Sequence, residues 1–271
     1  MKTYISLLLI MLGFIGCKKT EKSSLQKESS NQIVVGHIDS LYSEILGESR
    51  KLWIHTTTHF EIFYTELDDK NIKEIADSLE ANYSRIVTHL QSEKLPVVKI
   101  NFYSNITSLQ IAVQSIEPNL PIWAIGLATS VSQIHLLSPN HPKQDFRTMI
   151  HNTIHEFAHC VSYNINSNIA NNPRWLWEAV AIYESNHHPE PQNISYLVNQ
   201  KPPSLNELNQ FTNTYIYEVG FFIAEFIVET KGNIGLNELI KNNGDLKKTM
   251  NLNEEEFTKQ WFLYVKKKYG I

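Results

Sequence analysis

The chain has 271 residues, a formal net charge of −4, and 42% hydrophobic against 19% charged residues. That balance suits a globular protein with one large core or two small ones, and an acidic chain without a long basic run excludes the electrostatic footprint of a nucleic-acid binder. Its only cysteines, Cys17 and Cys160, are too few for a disulfide framework.

In chain order, a basic start at Met1-Lys2 leads into an apolar run from Thr3 to Ile15, too short to span a bilayer as a helix. It predicts a signal peptide over residues 1–16. The run ends in Phe14-Ile15-Gly16-Cys17, which resembles a bacterial lipoprotein signal, with Phe14 where leucine or a similar aliphatic is usual. The resemblance implies cleavage before Cys17, lipidation of that cysteine and an exported protein lipid-anchored to a bacterial cell envelope membrane, facing the periplasm or the surface. An ordinary cleaved signal or an uncleaved anchor is the alternative. Lys18 to Gln32 is rich in Lys, Ser, Glu and Gln with little to bury, so residues 17–35 are expected to form a disordered tether. Residues 36–271 form the folded domain, with an α/β part to residue 140 and a mainly helical part from 141.

A short helix is expected at Ile38 to Leu46. Thr58 to Thr65 alternates, with Phe60, Ile62 and Tyr64 on one side, and reads as a strand. Asp68 or Asp69 can cap the next helix, which carries a stripe of Ile72, Ile75, Ala76, Leu79, Tyr83, Ile86, Val87 and Leu90 and is expected to end at Pro96. Val98, Ile100 and Phe102 repeat the strand pattern, and Ser108 to Ser115 reads as helical. Ala124 to Leu137 is strand-like with a bend near Thr129 to Ser132. The fold class is α+β: a small mixed β-sheet with helices, followed by a helical lobe.

The centre of the sequence is His155-Glu156-Phe157-Ala158-His159 on a predicted helix. Histidines four apart share a helical face and can reach one ion, while the carboxylate of Glu156 lies beside that ion without ligating it. Phe146, Met149, Ile150, Thr153, Phe157 and Val161 supply a core-facing stripe that leaves His155 and His159 off it. A surface helix with two solvated histidines is the plain alternative. Zinc needs a third protein ligand, and Glu178 supplies one after a polar loop from Asn164 to Asn172 and a second helix opened by Pro173. Cys160 follows His159 directly but lies about 100° around the helix, as a core thiol would.

His155-Glu156-x-x-His159, eighteen intervening residues and Glu178 within Pro-x-Trp-Leu-x-Glu-x-x-Ala-x-Tyr resemble the signature of the gluzincin metallopeptidases, in particular the peptidase MA-like group that includes the zinc aminopeptidases. Ala179 stands where that family usually carries glycine. The resemblance implies a zincin-like active-site helix at a cleft, Zn2+ held by His155, His159 and Glu178, Glu156 as general base, and a peptide or protein substrate. It also implies an edge strand at Gly126 to Ser130 that pairs with substrate; an edge shielded by a loop is the alternative. Gly-Ala-Met-x-Asn, usual in the aminopeptidase branch, is absent between Ile122 and Ser138, so endopeptidase action is expected.

Further on, His187-His188 reads as part of a solvated loop. The helix from Tyr215 to Thr230 holds Tyr217-Glu218-Val219-Gly220, which resembles the Tyr-x-x-Gly of the zinc aminopeptidases and so implies that Tyr217 stabilises an oxyanion; Tyr215 or a merely packed tyrosine are the alternatives. Helices are expected at Ile234 to Asn242 and Glu254 to Tyr269, with Lys266 to Lys268 as solvated charge. Two rival functions use the same residues: a zinc-binding surface or periplasmic lipoprotein without catalysis, and a zinc hydrolase of a non-peptide amide or ester.

Overall fold

Alternation of apolar and polar residues builds the sheet around which the N-terminal half is arranged. The structure, a computed structural model, describes residues 31–34 by their backbone alone, then 52–142 and 144–271. The expected signal peptide, the lipidation residue Cys17 and the helix at Ile38 to Leu46 lie outside the described residues. Strands β1 (Asn31–Val34), β2 (Leu52–Thr56), β3 (Phe60–Tyr64), β4 (Val98–Tyr103), β5 (Gly126–Ser130) and β6 (Gln133–Leu137) form one sheet in the order β1-β2-β3-β4-β6-β5. Pairs β3–β4 and β4–β6 are parallel and the others antiparallel. β1 falls inside the stretch expected as a tether, so strand pairing describes the end of that stretch.

Register explains the core. Ile62 pairs with Ile100 and Ile100 with Ile134, which sets the buried side chains of three strands on one face. Helices α1 (Asp69–His89) and α3 (Phe146–Ile165) cover that face. The other face carries Leu137 and Tyr103 against α2 (Ile106–Val113), where a smaller cluster of Leu109, Val113, Leu120 and Ala124 collects. The fold is α+β: all six strands precede α3, and the described residues after it are helices and loops.

Several boundaries differ from the sequence reading. Asp68 precedes α1 but makes no side-chain cap; it is buried and accepts hydrogen bonds from Ser138 and Asn140, tying the helix start to the chain after β6. The helix ends at His89 rather than at Pro96, because Gln91 turns left-handed (φ 51°) and the amides of Gln91 and Ser92 close back on Thr88 and Val87. The strand-like stretch expected to bend near Thr129 to Ser132 does so: β5 and β6 form a hairpin turning at residues 131–132, with a bulge between Ala128 and Ser130.

In the second half, Asp145 caps α3 by accepting from the Thr148 amide at 2.8 Å. α4 (Arg174–Ser185) follows a cis Asn172–Pro173 bond. Short helices α5 (Ser195–Val198) and α6 (Leu205–Asn209) lead to α7 (Ile216–Lys241), and then come α8 (Leu246–Met250) and α9 (Glu254–Tyr269). α7 joins the two helices expected at 215–230 and 234–242, with Gly232 (φ 66°) as the kink between them. Lys268 is more than solvated charge: its Nζ lies 3.0 Å from Glu225 and 3.2 Å from Glu229, pinning α9 to α7. No helix among the described residues is long and apolar enough to cross a membrane.

Candidate metal centre

α3 places its histidines by periodicity. Met149, Thr153, Phe157 and Val161 enter the core, and the adjoining face turns His155 and His159 toward α4. α4 is apolar nearly all round, which buries it between α3 and α7. At its far end Glu184, with no exposed side-chain surface, takes a 2.6 Å ion pair from Arg85 and so ties α4 to α1.

These contacts bring Glu178 to the histidine pair. Its Oε2 lies 3.2 Å from His155 Nε2 and 3.9 Å from His159 Nε2, and one ligand atom from each of the three residues falls within 4.8 Å of the others. A tetrahedral zinc at its usual bond lengths would separate its donors by about 3.3 Å, close to the two separations from Glu178 Oε2, 3.2 and 3.9 Å. Polar satisfaction favours the same reading. Glu178 Oε2 is buried without a hydrogen bond of proper geometry, and so is Glu156 Oε2. Buried carboxylate oxygens left this way are costly unless a cation or water meets them.

Electrostatics follow from this crowding. Burial, and secondarily the nearby His155, hold His159 well below the ordinary histidine range, which keeps the imidazole neutral as a ligand must be. For His155, burial opposes the charged form but the adjoining Glu178 and Glu156 outweigh it, so its pKa is raised. Burial pushes Glu156 up to about 7; Glu178 adds to the rise, while His155 and a hydrogen bond from the Ala128 amide act against it. A cation on the cluster would favour the ionised form of Glu156.

Two cavities flank the cluster. The smaller, about 340 Å3, is lined by His155, Glu156, His159, Glu178 and Tyr217 together with Gly126 to Thr129 of β5. The larger, about 610 Å3, shares His155, Glu156 and Tyr217 and extends to His187 and His188. β5 is the edge of the sheet and lies along the smaller cavity. His187 and His188 are engaged despite their loop: His187 stacks on His151 at 4.9 Å and His188 on Phe221 at 3.6 Å. Tyr217 lines both cavities, whereas Tyr215 is 41% exposed and packs on Tyr196. Cys160 is free and fully buried, away from the ligand set, and burial drives its thiol pKa far up. Cys17 lies outside the described residues.

The sequence reading missed Arg174 and Trp177. Arg174 is buried, and its Nη1 donates to the carbonyls of Leu208 and Asn213 at 3.0 and 3.1 Å. Its guanidinium lies 5.4 Å from the Tyr217 ring centre. Trp177 stacks on His159 at 3.8 Å and 6° between planes, fixing an imidazole whose Nδ1 has no hydrogen-bond partner. Only adjacency to Glu178 signalled Trp177, and nothing in the local pattern signalled Arg174, whose partners lie 34 and 39 residues away.

The fold and this cluster define an α+β protein with a two-histidine, one-carboxylate donor set on neighbouring helices. A comparison with protein-family models returned no match, and a comparison with curated proteins returned none.

Proposed function

We propose that the protein is a zinc metallopeptidase of the gluzincin, peptidase MA-like kind that hydrolyses peptide bonds. The observation that carries the proposal is the convergence of His155, His159 and Glu178 within 4.8 Å, with the free oxygen of Glu156 at the same cavity. A zinc ion held there supplies Lewis acidity, polarising a carbonyl and making water a stronger nucleophile at neutral pH. Glu156 accepts the proton of the attacking water and passes it to the leaving amine, a role suited to a buried carboxylate at the same cavity as the donor set. Tyr217 donates its hydroxyl to the oxygen on which charge develops, with Arg174 beside it as a fixed positive charge. The outer edge of β5 pairs with an extended substrate, which favours a polypeptide over a small amide or ester.

The same reading takes the protein as exported and anchored through Cys17, supported by the residues that precede it. Incubation of the purified protein with a mixed peptide library, with and without a chelator, tests the function. Wild type is expected to cut peptides in a chelator-sensitive way, and Glu156→Gln to lose about 10²–10⁴-fold in rate. Intact peptides with zinc-loaded wild type, or equal rates from the variant, would overturn the peptidase reading.

A further inference from the structure

Three large apolar side chains stand open at the smaller cavity: Ile116, Trp123 and Phe211 line it at 59, 53 and 49% exposure. Beside Trp123, Ile122 is 83% exposed. Single exposed apolar residues are ordinary, whereas several that converge on one cavity from separate loops mark a binding surface. Trp123 belongs to the connection between α2 and β5, and Phe211 to the connection between α6 and α7. Their ring centres lie 6.2 Å apart at a 38° tilt. Trp123 lines both cavities and Phe211 the smaller one, so the pair stands on the side of the smaller cavity where Trp123 borders the larger.

Phe211 is held in place from below. The Arg174 guanidinium lies 5.8 Å from its ring centre, and Arg174 Nη1 bonds the carbonyls of Leu208 and Asn213 on either side of Phe211. The same guanidinium flanks Tyr217, so one buried cation packs against both Phe211 and Tyr217, which line the same cavity as the donor cluster. A side chain gripped at Phe211 is thereby held in register with whatever lies at His155 and Glu156. Continuity with β5, whose residues Gly126 to Thr129 line this cavity, points to an occupant with an extended backbone.

We propose that Trp123 and Phe211 form a side-chain subsite that selects a bulky apolar residue of an extended polypeptide lying along β5. The substrate class is then extended, unstructured chain that carries a bulky apolar residue at this one position. The inference takes its reaction from the peptidase reading, but binding at the subsite requires no cleavage.

The test uses the full protein carrying Glu156→Gln, loaded with zinc, and end-blocked hexapeptides with Phe, Leu, Ala or Asp at each position in turn. Affinities are read by fluorescence anisotropy. At one position the Phe or Leu peptide is expected to bind at least tenfold more tightly than the Ala or Asp peptide. Trp123→Ser and Phe211→Ser should each cut that ratio below threefold, while Trp123→Phe keeps it. Both residues are about half exposed, so the variants are expected to fold, with far-UV circular dichroism and zinc stoichiometry as controls. As a second measurement, addition of the Phe peptide should change tryptophan fluorescence in the Glu156→Gln protein and much less when Trp123→Phe is added. Equal affinities for Phe and Ala peptides at every position, no binding of any peptide, or a preference that survives both serine variants would overturn the subsite. A wild-type protein that binds the Phe peptide and leaves it uncut would instead sink the peptidase reading alone.

Discussion

Gly220 of α7 lies against Ala179 of α4 so closely that a Cβ at Gly220 would stand 3.1 Å from the Ala179 Cα and 2.8 Å from Ile182 Cδ1. The resembled family usually has glycine where Ala179 stands; here Gly220, on the facing helix, permits the approach. Glu178 and Tyr217 sit on these two helices, so the contact sets how the candidate ligand and the candidate oxyanion donor face each other. Gly220→Ala pushes the Ile182 side chain aside and asks the α4 backbone at Ala179 to give by a few tenths of an ångström. It is expected to cost about 1–3 kcal/mol in urea denaturation and to weaken zinc binding in a competition titration. An unchanged zinc affinity would show that the α4–α7 spacing does not govern the ligand set.

Zinc content should be one ion per chain after loading, and His159→Ala or Glu178→Ala should remove it. Because Glu178 Oε2 and Glu156 Oε2 are buried without well-formed hydrogen bonds, a bound cation should stabilise the fold. At zinc concentrations near a thousand times Kd, the gain is about 4 kcal/mol, visible as a rise in Tm that a chelator reverses. A wild-type Tm indifferent to zinc would count against the centre.

Arg174 deserves its own substitution series because it joins two functions, holding the loop before α7 and flanking Tyr217. Arg174→Met leaves the carbonyls of Leu208 and Asn213 without their donor and should destabilise by about 3 kcal/mol. Arg174→Lys keeps the charge but lacks the planar fork, and is expected to recover less than half of that loss. Urea midpoints of the three proteins measure the series.

His135 predicts an acid limit. Burial lowers its pKa to about 4, and its Nδ1 shares a 2.8 Å hydrogen bond with the Tyr103 hydroxyl. The folded state therefore binds fewer protons than the unfolded one between about pH 6.5 and 4, so stability is fully present above that window and falls as pH drops through it. The drop attributable to this one side chain is about 3 kcal/mol. Denaturation of wild type and His135→Gln at pH 7 and pH 4.5 checks it: the variant should lose distinctly less on acidification.

How much of this was legible in the chain differs by element. The stripe of α1, the strands β3 and β4, the hairpin region and both helices of the candidate centre follow from local periodicity, because a side chain's face is set by its spacing along its own element. β2 escaped notice because Leu52–Thr56 is mostly half-buried and its alternation is weak. The end of α1 was misplaced because a glutamine in the left-handed region, and not the nearby proline, turns the chain.

By itself the sequence determined the residue types and spacings of the candidate centre: two histidines on one helical face, a glutamate between them, and a second glutamate on the next helix. Only the tertiary structure decided that Glu178 meets them, that Tyr217 rather than Tyr215 lines the cleft, and that Arg174, Trp177, Trp123 and Phe211 surround the site. The reason is physical. Periodicity acts within an element, whereas these meetings depend on how closely separate helices and loops pack, and that distance is set by contacts such as Gly220 on Ala179 between residues far apart in the chain.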